Sequence, residues 1–160
     1  MKRSSTIFLQ IVVVLIGAIM LTLMLWEPHL EGRNAHATTL QIYFNDPFLA
    51  YAYTASLAFF TALYQAFKLL GFAGRNNIFS PDAVKSIRII KYCALLLIAF
   101  VLGAEGYIWV FVRGTDDIAG GVAMGLMMMF VSVVVATAAG VFEHFLQNAV
   151  NMKSENDLTV

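Results

Sequence analysis

Glu105 is the residue whose surroundings most readily suggest chemistry. It lies inside the apolar run Ile89–Val112, seven residues before the end of that run, with Gly103 and Gly106 beside it. In a helix that is about 10 Å from the end, at 1.5 Å per residue. A charged group in hydrocarbon is costly, so such residues face the protein interior. Equal depth along the other apolar runs brings it level with Ala18, with Thr54 to Ser56, and with Gly125. Two roles fit an inward Glu105. It is a proton or cation site, or it is a structural hydrogen-bond donor to Thr54 or Ser56 that sets helix register.

Other reactive residues carry weaker signals. His29 and His36 lie near Glu27 and Glu31. A metal site needs three or four converging ligands, and this spacing is irregular. Solvated loop histidines are the simpler reading. Met127-Met128-Met129 point in different directions around a helix, which suits gap filling or lipid contact better than a copper path. Cys93 is the single cysteine, so no internal disulfide forms. There is no nucleophile elbow, phosphate loop, HExxH or paired inward carboxylate. No catalytic residue, cofactor or metal is expected, and the chain reads as a non-enzyme.

These residues are carried by membrane helices. The 160 residues are 60% hydrophobic and 12% charged, with mean hydropathy +0.77. A soluble domain is about half apolar and about a quarter charged. Net charge is zero, so no basic field argues for direct nucleic-acid binding. A bilayer core of about 30 Å takes about 20 apolar residues in a helix. Four stretches qualify: Ile7–Trp26, Phe48–Leu70, Ile89–Val112 and Ile118–Phe142. None contains proline. Lipid offers the backbone no hydrogen bonds, so each should be helical. The first run is longer than a signal-peptide core, and the small-residue site at Ala35-His36-Ala37 lies well beyond it. It reads as an uncleaved first span. The expected fold is an all-α, integral membrane four-helix bundle, a single membrane domain over 1–160.

The ends of the spans carry capping chemistry. Asp46-Pro47 and Ser80-Pro81-Asp82 each read as an N-cap with first-turn proline. Asp116 and Asp117 suit the positive dipole end of the fourth helix. Leu40, Ile42 and Phe44 alternate with polar neighbours, so a short strand or an interfacial aromatic belt fits that segment.

Of ten Lys and Arg, eight fall at the N-terminus, around the loop between spans two and three, and in the tail. Arg33 and Arg113 fall on the other side. The positive-inside rule puts both termini in the cytoplasm. The five-residue connection Arg113–Asp117 makes spans three and four antiparallel neighbours.

Helices in lipid associate by close packing and hydrogen bonds, so small and polar residues mark inward faces. Span four offers Gly121, Gly125, Ser132, Ala136 and Gly140. Span three offers Ala99, Gly103 and Gly106. Span two offers Thr54, Ala58, Thr61 and Gln65, and span one Gln10 and Gly17. Pure packing without a ligand accounts for such stripes.

Two cytoplasmic segments look organised. Pro81–Lys91 places Val84, Ile87 and Ile90 on one side and Lys85, Arg88 and Lys91 within reach of lipid phosphates. From the end of span four into the tail, 143–160, Phe142, Phe145, Leu146, Ala149 and Val150 fall at helical spacing opposite Glu143, His144, Gln147, Asn148 and Asn151. Span four should run on as a cytoplasmic amphipathic helix. It either lies on the membrane or docks a cytoplasmic protein. Lys85, Arg88, Glu155, Asn156 and Asp157 are the candidate partner surface.

The segment Phe79-Ser80-Pro81-Asp82-Ala83-Val84-Lys85-Ser86-Ile87-Arg88 and the closing Glu155-Asn156-Asp157-Leu158-Thr159-Val160 resemble a bacterial membrane-protein family, domain-of-unknown-function family 2975. The resemblance implies a multi-pass protein of the bacterial inner or plasma membrane. It also implies a neighbouring small helix-turn-helix transcription regulator, and it brings no activity or site residues.

Two functions follow. The chain is a membrane-bound regulatory protein engaging such a regulator. Alternatively it is a small transporter or channel, a homo-oligomer using Glu105. On either reading the intact chain should resist alkaline carbonate extraction. A cysteine placed at position 160 should escape membrane-impermeant reagents applied from outside; exterior labelling would reverse the sidedness.

Overall fold

A computed structural model of the chain describes residues 3–26, 38, 47–112 and 118–158. His29, His36, the 40–44 segment and the capping residues Asp46, Asp116 and Asp117 lie outside the described residues. All regular structure among the described residues is helical. The helices are α1 (Arg3–Trp26), α2 (Pro47–Gly74), α3 (Pro81–Tyr107) and α4 (Ala119–Leu158). A π-helical turn, Ile108–Val112, continues α3. All four helices are long and apolar enough to cross a membrane. With 40 residues, α4 is about 60 Å long, roughly twice the hydrocarbon thickness.

The helices pack in chain order: α1 on α2, α2 on α3, α3 on α4. A closed bundle would also bring α4 back onto α1, and among the described residues no substantial contact does so. The expected bundle is therefore an open row with α1 and α4 at its edges. Lipid tails are as apolar as leucine, so nothing forces the row to close.

Small and polar side chains set each pairing. Thr6 packs on Gly74, Gln10 lies over Gly71, and Leu63 lies over Gly17. Gln10 Nε2 donates to the Phe67 carbonyl at 3.3 Å, and the Tyr53 hydroxyl donates to the Met24 carbonyl at 2.8 Å. These contacts step along the length of α1. Between α2 and α3, the Tyr51 hydroxyl sits on Gly103 and donates to the Phe100 carbonyl at 2.7 Å.

The inward stripe expected on α2 is split. Ala58 and Gln65 are buried, but Thr54 and Thr61 face outward. Their hydroxyls donate to the Ala50 and Leu57 carbonyls one turn back, at 2.9 and 2.7 Å. A helical threonine can satisfy itself in this way, so it needs no interior partner. Ala99, Gly106 and Gly121 are likewise exposed, whereas Ser132, Ala136 and Ala139 are buried.

The α2–α3 turn is the sharpest local structure. Asn76 adopts φ 55°, Asn77 N–H reaches the Phe72 carbonyl at 2.9 Å, and Asn76 N–H reaches Ala73 at 3.3 Å. This is a Schellman ending. Ser80 then caps α3, its Oγ accepting from Ala83 N–H at 3.3 Å and donating to the Asn77 carbonyl at 2.9 Å. Pro81 follows at the first helical position, as the spacing predicted.

The best-packed cluster is not central. Val84, Ile87, Ala139 and Leu146 are buried together, covered by Leu69, Ile78, Ile90 and Val150. It lies at the end of the row carrying the α2–α3 turn.

The turn makes Asn76 a test of this geometry. Asn76→Val should destabilise by about 1–2 kcal/mol, because a β-branched residue resists the left-handed conformation. Asn76→Gly should be neutral or stabilising. Thermal unfolding in detergent would measure both.

Candidate functional site

Glu105 is half-buried on the side of α3 that meets α4. Its carboxylate fills the space that a Cβ at Gly125 would occupy. Gly103, two residues earlier, faces α2 and receives Tyr51. Positions two apart lie on nearly opposite sides of a helix, so α3 presents one group to each neighbour. The π-helical turn begins three residues after Glu105. There Ile108 N–H is shared between the Ala104 and Glu105 carbonyls, and Ile108 Cδ1 lies 3.8 Å from the Cβ position of Gly121.

The structure does not bring the expected partners to Glu105. The Thr54 hydroxyl is spent on Ala50, and the Ser56 hydroxyl donates to the Tyr53 carbonyl at 2.7 Å. Both belong to α2, on the other side of α3. Equal depth in the membrane placed Gly125 correctly but did not specify which helix each face of α3 would meet.

A second constellation lies nearer the turn end. Glu143 Oε1 accepts from Arg88 Nε, and Oε2 accepts from Lys91 Nζ, each at 2.6 Å. The carboxylate side chain is only 12% exposed. Arg88 and Lys91 are one turn apart on α3, so one acid bridges both. The Lys91 stem crosses Gly140, with Cδ 3.7 Å from the Cβ position there, before its ammonium reaches Glu143. Lys91 also stands 5.0 Å from the Tyr92 ring centre. Two of the three cations expected to reach lipid phosphates, Arg88 and Lys91, are therefore turned toward α4; the third, Lys85, is exposed.

Sequence reasoning missed this cluster, although its signal was present. Spans three and four form a hairpin, so residues equidistant from the 113–117 connection should meet. Val84 and Leu146 are equidistant, and Arg88 and Glu143 are equidistant to within one residue.

The tail helix packs partly on α3. Leu146 is buried and Val150 half-buried against the first turns of α3, so part of the apolar face is covered within the chain. Phe142 and Phe145 remain exposed. Glu155 is exposed; the side chains of Asn156 and Asp157 lie outside the described residues. Among the described residues no His, Cys, Asp or Glu cluster could hold a metal.

Four long apolar helices joined by hydrogen bonds and glycine contacts define an all-helical, multi-pass membrane protein. The chain belongs to the family described as Protein of unknown function (DUF2975), which matches residues 8–160. It is 37% identical over 161 residues to the "Uncharacterized membrane protein YoaS" of Bacillus subtilis (strain 168), covering all of both chains. No solved structure matches.

The Glu105 contact can be tested by substitution. Gly125→Ala should destabilise by about 1–3 kcal/mol, the usual cost of overpacking. Glu105→Ala in the same chain should restore most of that loss. Unfolding measured in lipid nanodiscs would show the compensation, and additive losses would argue against the contact. Glu143→Gln should lower the unfolding midpoint and weaken its dependence on salt.

Proposed function

We propose that this protein is a non-enzymatic regulatory or interaction protein of the bacterial cytoplasmic membrane, with both termini in the cytoplasm. The distribution of Lys and Arg supports that orientation. The tail of α4 and the α2–α3 turn then share the cytoplasmic end. The observation that carries the reading is the buried Val84–Ile87–Leu146 cluster at that end. A protein that only crossed the bilayer would need no packed core there. This one holds α4 upright well past the length of a span and presents an ordered rim. Lys85, Arg88 and Glu155 belong to that rim, and Asn156 and Asp157 follow Glu155 along the same helix. A small helix-turn-helix regulator is the proposed partner, with the membrane-embedded helices biasing whether it is held or released.

The partner question has a direct test. Deleting residues 153–160 should abolish co-purification of the neighbouring regulator and change expression of its targets. Unchanged recovery with unchanged expression would remove the proposal.

The half-buried Glu105 beside a π-helical turn favours a second reading, a small oligomeric transporter or channel for protons or cations. π-turns often mark functional positions in helices. On that reading, proton or cation flux into reconstituted vesicles should fall when Glu105→Gln is introduced. Flux that is absent, or indifferent to the substitution, would eliminate it.

A further inference from the structure

The edge helix α4 carries two seams. One faces α3 and holds Ser132, Ala136, Ala139, Glu143 and Leu146 at alternating steps of four and three. The other lies on the opposite side and is exposed. Val131, Val134, Ala138, Val141, Phe145 and Met152 follow the same alternation, and Asn148 fills the remaining position. That spacing is a heptad repeat, with Val131, Ala138, Phe145 and Met152 at a and Val134, Val141 and Asn148 at d.

Within the hydrocarbon, an exposed apolar seam needs no partner, because lipid covers it. Here the seam continues beyond the bilayer. The Arg88–Glu143–Lys91 cluster is too charged for hydrocarbon and marks its boundary. Phe145 and Met152 lie past that boundary, 72% and 61% exposed, on a helix about 30 Å longer than a span requires. The rest of the row cannot cover them, because α3 occupies the other side of α4 and α1 stands at the far edge.

We infer that this seam pairs with the same seam of a second copy, forming a parallel coiled-coil dimer that runs from the membrane into the aqueous phase. Three observations point to a second copy rather than an unlike partner. Copies inserted with one orientation present their α4 helices in parallel, the arrangement in which a and d residues meet their own kind across a two-fold axis. Asn148 then meets Asn148, and an amide is both donor and acceptor, so the pair satisfies itself. The flanking e and g positions are Val135, Phe142 and Ala149, and Thr137, His144 and Asn151. None of these is a Lys, Arg, Asp or Glu, so along 131–152 no fixed charges repel when identical helices approach; the apolar seam ends there, because the next d position is Glu155. The inference does not depend on the regulatory reading, since it needs no other protein.

The test is oxidative cross-linking of the full chain in vesicles, in a Cys93→Ala background. Val141→Cys, Asn148→Cys and Met152→Cys should each give covalent dimers. Gln147→Cys, which lies off the seam, should give at least about tenfold less. Phe145→Glu should weaken dimerisation at least about tenfold by sedimentation in detergent, a typical loss for a central anchor. Asn148→Leu should retain the dimer, which keeps the test decisive if Phe145→Glu misfolds. Seam cysteines that fail to cross-link, or that cross-link no better than Gln147→Cys, would overturn the inference. So would quenching of a probe at 148 by brominated lipid without dimer formation, because the membrane surface would then be the occupant.

Discussion

The α3–α4 hairpin is the contact on which the rest of the structure depends. At one end Glu105 fills the hollow over Gly125. Farther along, the Lys91 stem crosses Gly140, and Arg88 and Lys91 converge on Glu143. At the turn end Val84 and Ile87 close over Leu146. The hairpin thus changes its means of cohesion with its solvent. In lipid it uses close approach and a polar group in a glycine hollow. Toward the turn end it uses ion pairing, then ordinary apolar burial.

This change explains why the densest packing lies at one end. Inside hydrocarbon, covering an apolar side chain with another helix gains little, and large residues such as Phe130 and Met127 stay exposed. Beyond the bilayer the same residue types would face water, so burial is rewarded. The α2–α3 turn contributes by supplying Ile78 to the cluster and by fixing where α3 begins. Its Schellman ending and Ser80 cap leave little freedom in the direction of either helix.

The open row has a structural consequence. It leaves two edge helices that differ in kind. The first, α1, is about 36 Å long and can be covered by lipid for most of its length. The other edge, α4, is about 60 Å long, roughly twice the hydrocarbon thickness, and carries an exposed apolar stripe.

The sequence by itself determined the helices. Four apolar runs of sufficient length, in a solvent without hydrogen bonds, have no other regular structure available. It also determined the Ser80 cap, the antiparallel neighbours around 113–117, and the level at which Glu105 meets Gly125, because rise per residue is constant. Tertiary structure decided which side of each helix meets which neighbour. Thr54, Thr61 and Ser56 looked like interior polar groups, yet each bonds to its own helix. Arg88 and Lys91 looked like lipid anchors, yet Glu143 from α4 captures both. The reason is that a polar side chain in a helix has several competing partners of similar energy. Only the position of the neighbouring helix selects among them.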